Sequence, residues 1–173
     1  KEQELHHKNN KWTCQKEINQ DSQDALCNSV PETIKNYAYK DCYDHTVINK
    51  LEDIQVTIVM ATHNRVKQTL KTLQIINDLH KNKQYNIQII IVDDSQYSIL
   101  SSLQSYSRRI QIDYIHIDET KKVWISPVIN YNIGFAYVLG EKIIIQHAEV
   151  CYVGDVIDFV FNNVVKDTYY VFD

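Results

Sequence analysis

Glycine and proline are scarce in this chain, at three and two in 173 residues. Such a composition excludes collagen-like repeats and Pro/Gly-rich linkers. Glycine-rich phosphate loops are missing too. Neither G-x-G-x-x-G nor the P-loop pattern occurs, so a dinucleotide-dependent dehydrogenase or a P-loop NTPase has no support. The four cysteines, Cys14, Cys27, Cys42 and Cys151, contain no C-x-x-C pair of the kind structural zinc sites favour. Free thiols in a reducing compartment are expected, with a disulfide in the N-terminal region as the alternative. No apolar stretch approaches the roughly 20 residues of a membrane-spanning helix. Positive charge is not in excess either. Eighteen Lys and Arg face 22 Asp and Glu, a formal net charge of -4. That balance gives no electrostatic reason to bind nucleic acid. No hydrophobic leader is visible, so a cytoplasmic location is expected. The Ile-, Asn-, Lys- and Tyr-rich bias is typical of AT-rich genomes such as those of large DNA viruses. It extends that expectation to a virus-infected host cell.

What is present divides in two. Residues 1–52 are rich in Gln, Asn, Lys and Asp and lack a sustained apolar period. They are expected to form an irregular extension or linker, with a short helix opening at Pro31. Trp12, Tyr37, Tyr39 and Tyr43 are candidates to dock it. From residue 53 the pattern becomes regular. Strands are predicted over 55–61, 87–92, 110–117, 142–146 and 169–172. Helices are predicted over 65–81, 99–107, 128–139 and 155–165. The first carries Leu70, Leu73, Ile76 and Leu79 on one stripe. Asn64 and Asp155 suit N-caps, and Gly140 suits the position just past a helix. Strands alternating with helices predict an α/β domain over 53–173. Its runs of β-branched residues suit a mostly parallel sheet, buried on both faces and flanked by helices. The chain stops on an apolar run, which is the expectation for a piece of a longer protein.

Two strand ends carry polar side chains. In VTIVMATHNR the first predicted strand runs into Thr62, His63, Asn64 and Arg65, and in IQIIIVDDS the second runs into Asp93, Asp94 and Ser95. Ligands of open α/β sheets sit outside the carboxyl ends of the strands. Thr62 and Asn64 offer hydroxyl and amide groups to a base or ribose, and Arg65 offers a cation to a phosphate. Asp93 and Asp94 suit acceptors for a base imide or ribose hydroxyls. Capping and turn roles remain the competing explanation for Thr62, Asn64 and the two aspartates.

These segments, in this order and spacing, resemble the nucleotide-sugar-binding half of a family-2 glycosyltransferase with the Rossmann-like GT-A fold. Members open with a strand such as V-T-I-V-x-x-T-x-N-R, matched from Val56 to Arg65. Their second strand ends in V-D-D-x-S or similar, here Val92 to Ser95. A segment of the type N-x-G-x-x-x-A-x-G follows, with Asn132, Gly134, Phe135 and Gly140 standing in this chain. The family's metal-binding D-x-D is replaced by Gln146-His147-Ala148-Glu149, a Q-x-x-E variant. The resemblance implies transfer of a sugar from a nucleotide diphosphate sugar, with a UDP-sugar expected, to an acceptor hydroxyl with inversion. The acceptor class, whether glycan, protein or lipid, stays open. It implies nucleotide-sugar binding by Thr62, Asn64, Arg65, Asp93, Asp94, Asn132, Gly134 and Gln146. A divalent cation, Mn²⁺ or Mg²⁺, is implied on Glu149, with His147 as a second ligand. A metal-free or inactive variant is the alternative. No catalytic base stands out, because Asp155 and Asp158 also suit a helix start. Two rival functions are a non-catalytic module of the same fold and a sugar nucleotidyltransferase. The latter class carries a glycine-rich basic loop after its first strand, which this chain lacks.

Overall fold

The computed structural model describes residues 42–103, 106–122 and 124–172. The short helix expected at Pro31, and Trp12, Tyr37, Tyr39, Cys14 and Cys27, lie outside them. Cys42 and Cys151 are free thiols.

Five strands form one sheet in the order β1-β4-β3-β2-β5. They are β1 Tyr43–Ile48, β2 Ile54–Thr62, β3 Asn86–Asp93, β4 Ile110–Ile117 and β5 Lys142–His147. The last four run parallel and β1 is antiparallel to β4. This is the mostly parallel, helix-flanked α/β architecture expected for the GT-A fold. β2 and β3 are buried along almost their whole length, which explains why Val and Ile dominate them.

Among the described residues three α-helices cover the sheet: α1 Val66–His80, α2 Pro127–Phe135 and α3 Val156–Asn163. Leu73 and Ile76 of α1 and Ile157 and Val160 of α3 join Ile58, Met60, Ile89 and Ile112 in one core. On the other face Ile133 of α2 joins Val59, Ile90, Val92 and Ile115. Residues two apart in each strand thus feed the same core, and neighbours feed opposite ones.

The chain departs from the sequence reading at five places. β1 falls inside the stretch expected to be an irregular extension, so the folded domain starts before residue 53. Its alternation is weak because its partly buried residues fall on both faces: Tyr43 packs against the core on the α2 side and Ile48 against the core on the α1 side. The helix expected over 99–107 is only a 3₁₀ turn, Leu100–Ser102. Its flanking amides are satisfied from elsewhere: Ile99 N–H donates to the Tyr114 hydroxyl at 3.1 Å and Ser107 N–H to Asn77 Oδ1 at 2.7 Å. α2 stops at Phe135 rather than 139, and Gly140 is not its terminating residue. Gly140 lies against β2, where a Cβ would stand 2.9 Å from Thr57 N. Arg65, not Asn64, holds the N-cap position of α1, with no side-chain cap bond. Finally, no strand forms over 169–172. Tyr170 and Phe172 instead set their rings edge-on to Phe159 of α3. Asp155 does cap α3, accepting from Asp158 N–H at 3.0 Å.

Candidate functional site

The strand order reverses beside β2. The chain moves from β2 outward to β3 and β4, then returns to place β5 on the opposite side of β2. Crevices open at such switch points because the loops leaving the two strands diverge. Here a cleft of about 380 Å³ lies at that edge. Thr62, His63 and Arg65 line it from the end of β2, Asp94 from β3, and His147 and Glu149 from β5. Asn130 and Tyr131 of α2 and Lys122 of the preceding loop close it.

Asp94 is the polar centre of this cleft. Its side chain is only 5% exposed. Lys122 Nζ donates to Oδ2, and Asn130 Nδ2 donates to the same oxygen at 2.9 Å. His63 Nδ1 lies 3.0 Å from Oδ1 and 3.1 Å from the Asp94 carbonyl oxygen. Both neighbours are acceptors, so Nδ1 carries a proton. Burial is the largest single influence on Asp94 and works against its charge. The Lys122 and Asn130 hydrogen bonds, with the Lys122 charge, outweigh it and hold the carboxyl below its ordinary range.

The backbone fixes this centre. Asp94 N–H donates to the Thr62 carbonyl at 3.1 Å, joining the ends of β2 and β3. Asn64 N–H donates to Ser95 Oγ at 2.7 Å. Asn64 has φ of 54°, a left-handed conformation that asparagine accepts more readily than most residues. Its side chain donates to His63 Nε2 at 3.0 Å and so orients the ring toward Asp94.

The far wall carries the second carboxylate. Glu149 is half-exposed, with Oε1 3.9 Å from Arg65 Nη1. Beside it the Tyr131 hydroxyl donates to the Gln146 carbonyl at 2.9 Å, and His147 Nδ1 lies 3.3 Å from that hydroxyl. Burial raises the Tyr131 phenol above its ordinary value, and the Glu149 charge adds to the rise. The cleft therefore presents two carboxylates, each with its own cation. An anionic ligand can enter such a site by taking over those cations.

The sequence model described as Glycosyl transferase family 2 matches residues 57–171. That span covers β2 to the C-terminal segment and includes every wall of the cleft. The chain belongs to glycosyltransferase family 2. A direct comparison with curated proteins finds no match.

Family membership gives a glycosyltransferase-type domain that takes a nucleotide-sugar donor, in a family that typically uses a divalent metal. No helix among the described residues is long and apolar enough to cross a membrane. Of the sequence-predicted site residues, the structure brings together Thr62, Arg65, Asp94, His147 and Glu149. Five others do not line the cleft. Asp93 is fully buried, accepting from Tyr114 at 2.7 Å and from Ser95 N–H at 3.0 Å. The side chain of Gln146 is buried among the α1 and α3 core, where it accepts from the Tyr152 hydroxyl. Gly134 is a packing residue, because a Cβ would meet Val59 Cγ1 at 2.8 Å. Asn132 is exposed on α2. Asn64 is likewise exposed and acts on the cleft through His63.

Tyr131, Lys122, Asn130 and His63 also line the cleft. His63 was legible, since it stands between Thr62 and Asn64 at a strand end. Tyr131 carried no signal, because an aromatic residue on a helix ordinarily reads as core.

Glu149 and His147 are the residues that fit a divalent cation. Among the described residues no three His, Cys, Asp or Glu side chains converge as a metal cage. A carboxylate and an imidazole lining one cleft suit a cation that completes its shell with phosphate oxygens and water. Asp94 does not suit it, because its carboxylate is already engaged by three donors.

Proposed function

We propose that the cleft binds a nucleotide diphosphate sugar, with UDP as the nucleotide, and that the domain serves transfer of the sugar to an acceptor hydroxyl with inversion. The observation that carries this reading is Asp94. It is a buried, ionised acceptor at the switch point of the sheet, with Lys122 and Arg65 within the same cleft. In this reading Asp94 receives hydrogen bonds from the nucleoside. Arg65 faces the diphosphate, and Glu149 with His147 holds the cation. The cation, when bound, offsets charge on the departing diphosphate. Thr62 shapes the cleft floor through its hydroxyl contact with Thr69 at 3.0 Å.

The test is a thermal-shift panel of nucleotide sugars with and without Mn²⁺. A ligand at 100 times its Kd stabilises the folded state by about 2.7 kcal/mol. UDP-sugars raising the midpoint more than GDP- or ADP-sugars support the reading. A flat response across the panel removes it.

A second reading, donor binding without transfer by this chain, is favoured by where the acids lie. Transfer needs a base within hydrogen-bond reach of the acceptor hydroxyl. Asp155 and Asp158 instead pair with Lys83 at 2.8 and 2.9 Å. Asp118 accepts from the Thr120 hydroxyl at 2.6 Å. None of the three lines the cleft. A radiolabelled-donor assay separates the readings, because turnover requires a base that binding does not.

A further inference from the structure

Of the three donors on Asp94, one rides on a helix, one on the short turn after β2 and one on a longer loop. Asn130 lies in α2, and its own Oδ1 is fixed by Trp124 Nε1 at 2.8 Å. His63 directly follows β2 and is held by Asn64. Lys122 alone comes from the loop joining β4 to α2, on a long side chain with many rotamers. Its side chain is 16% exposed, so the ion pair sits within the cleft rather than on its rim.

Lys122 and Asn130 both occupy Oδ2, while His63 takes Oδ1. A hydroxyl or imide that is to donate to Oδ2 must displace one of the two. Lys122 is the one free to yield. Its departure does not strand Asp94, which keeps His63 and Asn130. The displaced ammonium is the group left without a partner, and a poorly hydrated unpaired cation is costly. A neutral nucleoside supplies nothing to replace Asp94. A nucleoside diphosphate brings its own anion into the same cleft.

We propose that Lys122 is a partner-exchanging residue that gives the cleft its preference for nucleoside diphosphates over nucleosides. In the free protein it occupies Asp94. When a nucleoside takes its place there, the ammonium passes to the diphosphate. This rests on the cleft being the nucleotide-sugar site and adds to it a specificity residue and the way it acts.

The experiment compares UDP, by calorimetry, with uridine, by ligand-observed NMR, on the 173-residue chain at constant Mn²⁺. Lys122→Met should weaken UDP about tenfold or more, the usual loss for a charge-assisted hydrogen bond. Uridine affinity should hold or rise, because the competitor for Asp94 is gone. Lys122→Arg keeps the cation and should keep the preference for UDP, which also controls for damage to the loop. Equal weakening of both ligands by Lys122→Met, or unchanged UDP affinity, overturns the exchange while leaving the nucleotide site standing. A wild-type protein that binds neither ligand overturns both.

Discussion

Asp93 and Asp94 are neighbours in the chain and serve opposite faces of the sheet. Asp93 turns toward the α1 side and accepts from Tyr114. Asp94 turns toward α2 and accepts from Asn130. Strand alternation produces this division, since successive side chains point to opposite faces. One aspartate anchors the core and the other furnishes the cleft.

Their substitutions should therefore separate. Asp93→Ala removes the buried acceptor of the Tyr114 hydroxyl proton and of the Ser95 amide. It should cost about 1–3 kcal/mol of stability, and any loss of UDP affinity should follow the loss of folded protein. Asp94→Ala should abolish UDP binding in a protein that still unfolds cooperatively. Denaturant unfolding and calorimetry on both variants check this. Normal UDP affinity in Asp94→Ala would remove Asp94 from the site.

Glu149 should carry the metal response. A carboxylate and a diphosphate repel each other, and a divalent cation between them turns repulsion into a bridge. Glu149→Gln should lose the Mn²⁺ enhancement of UDP binding. Its effect on stability should be small, because the half-exposed pair with Arg65 is of a kind worth about 0–1 kcal/mol. Titrations of UDP with and without Mn²⁺ decide the point. Full retention of the enhancement would leave His147 as the residue to test.

Gly140 should be intolerant of a side chain for a reason of space. A methyl group on its Cα would stand 2.9 Å from Thr57 N, Thr57 Oγ1 and Val56 C, and backbone cannot move aside as a side-chain tip can. Gly140 N–H also donates to Thr57 Oγ1 at 2.9 Å. Gly140→Ala should destabilise by about 1–3 kcal/mol, the usual cost of overpacking. Thermal unfolding measures it. An unshifted midpoint would mean that the turn before β5 relaxes freely.

The parallel core was legible because burial on both faces demands the continuous apolar runs seen in β2 and β3. The ends of those runs marked half of the cleft, through Thr62, Arg65 and Asp94. β1 was illegible because Tyr43–Ile48 gains its order from pairing with β4, and YDHTVI has no apolar run of its own. The segment around Leu100 failed in the opposite sense. Its helical spacing was real, yet tertiary hydrogen bonds from Tyr114 and Asn77 offered its amides better partners. Gln146 and Asn132 were placed by motif position alone. Which face each occupies depends on the phase of its element, and the motif does not fix that phase. For Lys122 the sequence leaves both a phosphate contact and simple solvation open, because whether a loop lysine is solvated or paired depends on which carboxylate the fold brings beneath it.

Acid should act on the fold through Asp94. Its carboxyl titrates below the ordinary range in the folded protein and near about 3.9 when unfolded. Between those two values the unfolded chain binds more protons than the folded one, so stability rises with pH there. The contribution of Asp94 is therefore fully present above the unfolded value and is lost as pH falls through the folded one. Asp158 and Asp118 are also held below the ordinary range, so the total acid response of the protein is not diagnostic. The difference between wild type and Asp94→Asn is. That difference should be largest near neutral pH and shrink below about pH 5 as the wild-type carboxylate is protonated. Urea unfolding of both proteins at a series of acid pH values measures it. Parallel curves, with a gap that does not change with pH, would show that Asp94 gains nothing from Lys122 and Asn130 in the folded state.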